Sequence, residues 1–93
     1  MVIGVLTIDL NIDGAFSLKE KRMVLRRIRD RVRHRFNVSL AEVDGNQVWN
    51  YSRLGIAVVA NQQKHANQVL SKVLELIETI RGCTVEDVET EFL

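Results

Sequence analysis

Proline is absent from the sequence, and cysteine, tryptophan and tyrosine occur once each. With no proline and no serine- or glycine-rich run there is no recognisable linker, so residues 1–93 are predicted to form one domain. A single cysteine, Cys83, excludes an intramolecular disulfide. The longest uncharged apolar stretch, residues 54–60, is far shorter than the ~20 residues of a membrane helix. Residues 1–6 lack the basic flank of a signal peptide, and these absences together favour a cytoplasmic protein with no membrane partner.

Residue patterns typical of catalysis or metal binding are also missing. There is no nucleophile–base pair, phosphate-cradling glycine loop or paired-carboxylate site, so we predict no enzyme activity, no catalytic residue and no cofactor. His34 and His65 have no cysteine or histidine at ligand spacing. Asp9, Asn11 and Asp13 lack the spacing of a calcium loop, so we interpret them as polar surface and predict no metal.

Charge is distributed very unevenly along the chain. Residues 19–35 hold nine of the thirteen lysines and arginines against two acidic residues, a net charge of +7. Residues 75–93 hold six acidic residues against one arginine, a net charge of −5. The overall net charge of +1 therefore hides a polarised molecule, and such polarity favours an anionic partner, with nucleic acid the first candidate.

Alternating apolar and polar residues predict four strands. In the first, Leu6, Ile8 and Leu10 share one face while Thr7 and Asp9 share the other, which is the period of a half-buried strand. The third is apolar on both faces and therefore suits a central position. The strands are predicted at residues 3–12, 36–43, 53–60 and 84–93.

Apolar residues at helical spacing predict two helices. The first covers residues 17–34 and begins with a capping box in which Ser17 and Glu20 would satisfy each other's amides. The second covers residues 62–81, with Asn61 as its N-cap and Gly82 just after its end.

The element order β-α-β-β-α-β limits the possible architectures. Two helices, each with one apolar stripe, must cover one face of a four-stranded sheet. We therefore predict an α+β fold of the ferredoxin-like type, with an antiparallel sheet and both helices on one face. Right-handed crossovers place the first and third strands in the centre.

Several of these segments also resemble a known family. The helix start Ser-Leu-Lys-Glu-Lys-Arg at residues 17–22, Glu42-Val43-Asp44, Trp49 and the strand segment at residues 54–57 are similar to the YlxP-like family of small bacterial proteins. The resemblance extends over essentially the whole chain and implies a ferredoxin-like fold. Genes of several members lie near those for translation initiation and ribosome-binding factor A, which implies a link to ribosome assembly or RNA. The resemblance carries over no catalytic residues.

A basic stripe along the first helix is the main candidate site. Spacings of 3, 4, 3 and 4 residues place its members on one flank, and arginine pairs bidentately with phosphate oxygens. We predict nucleic-acid binding here, with RNA or a ribosomal particle as partner. Two alternatives stay open: a solvated helix face, or pairing with the acidic last strand of a neighbouring molecule. The predicted nucleic-acid-binding residues are Lys19, Lys21, Arg22, Arg26, Arg29 and Arg33.

Lys21 differs from the others because it falls within the apolar stripe, between Leu18 and Leu25. We interpret it as a side chain whose methylenes cover the edge of the core while its ammonium reaches water. A role in a site is the alternative.

The sheet face away from the helices is the second candidate. Neither the first nor the third strand carries an aromatic residue, so bases would not stack on the sheet as they do in RNA-recognition modules of this topology. Instead, Ile3, Val5, Ala57 and Val59 lie there without helix cover, with Trp49 and Tyr51 expected nearby. Uncovered apolar area of this kind is typical of an interface, and we predict a homodimer.

Overall fold

The alternation of apolar residues produces the predicted sheet. The computed structural model describes all 93 residues and has the order β1 (Val2–Asn11), α1 (Leu18–Arg35), β2 (Ser39–Asp44), β3 (Tyr51–Ala60), α2 (Gln63–Glu78) and β4 (Thr84–Phe92). The sheet order is β2-β3-β1-β4 with every pair antiparallel. The ferredoxin-like prediction, with the first and third strands in the centre, is confirmed.

The two central strands pair over their whole length, and this register separates two faces of the sheet. Leu6 lies opposite Ile56 and Ile8 opposite Leu54, and all four side chains are buried. The residues between them point to the other face and are less buried, because both helices share one core with the side of the sheet that carries Leu6 and Ile56. The core therefore lies on one side of the sheet, and the other side is open.

The start of α1 follows the predicted capping pattern with one difference. The Glu20 amide donates to Ser17 Oγ at 3.2 Å, which satisfies one of the free amides of the first turn. The Glu20 carboxylate reaches Phe16, whose amide donates to Oε1 at 3.3 Å, rather than the Ser17 amide. This second bond thereby fixes the residue that precedes the N-cap.

The boundaries of α2 and β2 differ from the prediction. Gln62, not Asn61, occupies the N-cap of α2 and makes no side-chain cap bond. The helix ends at Glu78, three residues early, and Thr79 Oγ1 donates to the Leu76 carbonyl at 2.7 Å. Gly82 follows in a turn with φ of +94°, a conformation that favours glycine. β2 begins at Ser39, because Phe36 is the C-cap of α1.

Nineteen apolar residues from the sheet and both helices form one continuous core. Ile28 and Val32 of α1 and Leu70 and Val73 of α2 are fully buried in it. Neither helix is long and apolar enough to cross a membrane.

Candidate nucleic-acid interface

The basic stripe of α1 lies on an exposed flank of the helix. We call Lys19, Arg22, Arg26, Arg29 and Arg33 the basic ridge; four of them are exposed and Arg29 is half-buried. Arg29 Nε is enclosed and has no hydrogen-bond partner. At 1.5 Å per residue, the ridge extends about 21 Å from Lys19 to Arg33, a length that can follow several phosphates of one strand.

No carboxylate neutralises the ridge. The ion pairs of the structure join Lys21 to Glu42 and Arg53 to Asp9 and Asp44, and none of them includes a ridge residue. The positive charge of the ridge therefore faces solvent without an internal counter-ion.

The other flank of α1 has different neighbours. Arg31, His34 and Arg35 line a groove against α2, together with Lys72 and Glu75. Since Arg31 is rotated by about 200° from Arg29 around the helix at 100° per residue, the ridge points away from α2.

Lys21 is not part of this surface, and the interpretation that its ammonium reaches water is wrong. Its side chain is 2% exposed, and Nζ lies 2.8 Å from Glu42 Oε2. The same ammonium donates to the carbonyls of Gly45 at 2.5 Å and Val48 at 2.6 Å. An ammonium with three oxygen partners inside the protein cannot meet a phosphate, so we remove Lys21 from the predicted nucleic-acid-binding residues.

Glu42 reaches Lys21 because it lies on the helix-covered face of β2, two residues after the buried Leu40. The register with β3 shifts between Glu42 and Asp44, which leaves Val43 on the open face against Gly55. Glu42 lies opposite the buried Leu54 and also accepts from Ser52 Oγ at 2.6 Å. This pair was not predicted from the sequence. Two signals for it were a lysine within an apolar stripe and a glutamate two residues after Leu40, on the same face of β2.

The bonds from Lys21 hold the β2–β3 loop, residues 45–50, against the start of α1. This brings the Trp49 ring to Phe16, with ring centroids 6.4 Å apart and an angle of 28° between the planes. Phe16 is 80% exposed and Trp49 43% exposed. Trp49 was expected near the open sheet face; in the structure it packs against Phe16 in the loops instead.

The four predicted interface residues do lie together on the open face. Ile3 is opposite Val59 and Val5 is opposite Ala57, so they form two adjacent cross-strand pairs. Val59 is 65% exposed. β4 borders this patch with an acidic row, in which Glu91 is opposite Val5 and the other members, Glu89 and Asp87, follow along the strand.

Further along the open face, polar groups replace the apolar patch. Asp9 accepts from Arg53 Nε at 2.7 Å and from the Tyr51 hydroxyl at 2.9 Å. The hydrogen bond from the Arg53 guanidinium lowers the pKa of Asp9, and the bond from Tyr51 adds to this against the opposing effect of partial burial. The hydrogen bonds of Asp9 are thus with side chains of β3 and not with Asn11 or Asp13. The Asn11 side chain instead donates to Asp13.

Cys83 and the two histidines do not form a site. Cys83 is half-buried, its thiol donates to the Ile80 carbonyl at 3.6 Å, and burial raises its pKa. His34 lies in the groove between the helices and His65 is exposed on α2.

Comparison with known proteins matches the sequence to a family. The family described as "Protein of unknown function (DUF503)" matches residues 3–90. The chain belongs to this family. It is also 38% identical over 78 residues to a protein of Bacillus subtilis (strain 168) described as "Uncharacterized protein YlxP", covering 84% of this chain and 85% of that one. The YlxP-like resemblance is thereby confirmed.

Two designed proteins share the fold. One, a de novo designed protein with a ferredoxin fold, has a TM-score of 0.56 and 18% identity and covers 98% of this chain and 87% of its own. The de novo designed protein Foldit4 has a TM-score of 0.54 and 13% identity, with coverage of 98% and 96%. At these identities the likeness concerns the fold alone.

Proposed function

We propose that this protein binds RNA in the cytoplasm, through contacts between the basic ridge of α1 and the phosphate backbone, and that it acts by binding rather than by catalysis. The observation that carries this proposal is a row of cationic side chains about 21 Å long with no internal ion pair. A solvated helix face usually mixes charges of both signs, whereas here the only acidic residue at helical spacing from the ridge, Asp30, forms no ion pair with it.

The chemistry of the ridge favours a phosphate ligand. Arginine presents a planar fork of donors that matches two phosphate oxygens, and four of the five ridge residues are arginine. The free energy of such binding comes largely from the release of counterions, so the affinity would depend on backbone charge and only weakly on sequence. This suits a protein that recognises structured or single-stranded RNA in a ribosomal particle, and we place its role in ribosome assembly or translation.

The test compares RNA binding by the wild-type protein with binding by the Arg22→Glu/Arg26→Glu variant at low salt. Two lost charge-assisted contacts should weaken binding by at least about tenfold. The matched control is Lys64→Glu/Lys72→Glu, which makes the same change in net charge on exposed positions of α2. If both variants lose affinity equally, only net charge matters and the ridge is not the site.

A second candidate function rests on the open sheet face. Two adjacent apolar cross-strand pairs, Ile3 with Val59 and Val5 with Ala57, lie without helix cover and suit self-association as a homodimer. A two-fold axis would use this patch twice. The acidic row of β4 limits how the two copies can be oriented, because the rows of the two copies would repel each other if they met. Sedimentation equilibrium tests this, and a species of 10.6 kDa at micromolar concentration would count against it.

A further inference from the structure

Two large aromatic rings are exposed at the end of the molecule where α1 begins. Phe16 and Trp49 are two of the five aromatic residues of the chain, and they come together from loops 33 residues apart. Leaving most of Phe16 and nearly half of Trp49 in water forgoes burial free energy that a purely structural pair would gain. Their position therefore requires an explanation other than core packing.

The backbone of both residues is fixed to the first two turns of α1. The Phe16 amide donates to Glu20 Oε1, and the carbonyl of Val48, next to Trp49, accepts from Lys21 Nζ at 2.6 Å. Binding of a ligand to these rings consequently costs little free energy for ordering the loops.

The basic ridge begins three residues after Phe16 in the chain. Phe16 immediately precedes the N-cap Ser17, and Lys19 and Arg22 lie in the first two turns of the helix. A chain of phosphates along the ridge would thus bring its terminal nucleotide to the two rings. Proteins that bind single-stranded nucleic acid combine these same two features, a basic track for the backbone and aromatic faces for the bases.

We propose that Phe16 and Trp49 form a stacking site for an unpaired nucleobase of a single-stranded RNA whose phosphates follow the basic ridge. The base stacks on the exposed Phe16 ring, and Trp49 supports that ring from its other side. This inference rests on the proposed function and narrows it, because a duplex end or a bare polyanion offers no free base. It also places base contact outside the sheet. The central parts of β1 and β3 have no aromatic residue on which a base could stack.

The test uses two ligands that differ only in their bases: a short oligoadenylate and an abasic strand with the same number of phosphates. The wild-type protein should bind the oligoadenylate about 5- to 150-fold more tightly, the fold-change that one stacked base provides. Trp49 is the only tryptophan, so its fluorescence should be quenched by the oligoadenylate and not by the abasic strand.

Three substitutions of Phe16 separate stacking from general apolar contact. Phe16→Ala and Phe16→Leu should both remove the preference for the base-bearing strand and leave affinity for the abasic strand unchanged, while Phe16→Tyr should retain the preference. Because Phe16 is 80% exposed, all three should keep the wild-type circular dichroism. Leu93→Ala, at an exposed apolar position after β4, is the control and should behave as wild type.

The possible failures are distinguishable. Equal binding of both strands by the wild-type protein would overturn the stacking site and leave phosphate binding by the ridge intact. No binding of either strand at low salt would overturn the proposed function and this inference together. If Phe16→Leu retains the preference, or if Phe16→Ala changes the sedimenting mass and not RNA affinity, the pair is an apolar contact surface and the stacking proposal is wrong.

Discussion

Replacing Lys21 by methionine should destabilise the protein substantially, because Lys21→Met removes a buried charge while keeping most of the side-chain volume. Three oxygen atoms lose the ammonium as a partner, but two of them keep another hydrogen-bond donor. Gly45 O still accepts from the Val48 amide at 2.9 Å, and Glu42 still accepts from Ser52. Most of the lost stability therefore comes from the Val48 carbonyl, which has no other donor, and from the unpaired charge of Glu42.

The magnitude follows from these remaining contacts. Breaking a buried ion pair costs about 3–5 kcal/mol. Glu42 is 15% exposed and keeps one donor, so we expect the lower end, about 3 kcal/mol, which corresponds to a decrease in Tm of about 12–24 °C for a domain of this size. The exposed Lys64→Met on α2 serves as the control and should change stability by less than about 0.5 kcal/mol.

Chemical and thermal denaturation of Lys21→Met, Glu42→Gln and the double variant Lys21→Met/Glu42→Gln measures the pair directly. Neutralising Glu42 removes the unpaired charge, so the double variant should be more stable than the sum of the singles by at least about 1 kcal/mol. If Lys21→Met lies within about 0.5 kcal/mol of wild type, or if the effects add, the ion pair does not hold the β2–β3 loop. Trp49 fluorescence reports the loop in the same samples, since Lys21 bonds to the carbonyl that precedes Trp49.

The remaining predictions concern the open sheet face. The pKa of Asp9 is lowered in the folded state, so its contribution to stability is present above the unfolded pKa of about 3.9 and is lost as pH falls through the folded value. The difference in Tm between wild type and Asp9→Asn should therefore be largest near pH 7 and shrink below pH 4, and a difference independent of pH would contradict this. If the protein is a dimer, Val5→Asp should halve its sedimenting mass with unchanged helical circular dichroism, whereas an unchanged mass would place the interface elsewhere.

The elements of the fold were predictable because each depends on local periodicity. The switch between periods of two and 3.6 residues located all six elements, and the spacing of the ridge residues located their common flank. The errors occur at the boundaries of elements, where apolar spacing does not mark the last residue. α2 ends at Glu78 although apolar spacing continues to Ile80. Ile80 is buried in the core but belongs to the turn that leads to β4.

The interior of the candidate site was not predictable in the same way. Lys21 and Glu42 are 21 residues apart, and their pairing depends on where α1 and β2 meet in the fold, which no local pattern predicts. Phe16 and Trp49 lie in separate loops, and their pairing depends on the hydrogen bonds that Lys21 makes with the β2–β3 loop. Residues whose position depends on such tertiary contacts can be named only once the fold is known.

Phosphate binding by the ridge has a direct measure in the salt dependence of RNA affinity. For a single strand, each phosphate contact contributes about 0.7 to the slope of log K against log salt concentration. The Arg22→Ala/Arg26→Ala variant should therefore have a slope smaller than wild type by about 1.4, with the two lines converging at high salt. Parallel lines for the two proteins, or no RNA binding by wild type at low salt, would contradict the claim that the basic ridge binds the RNA backbone.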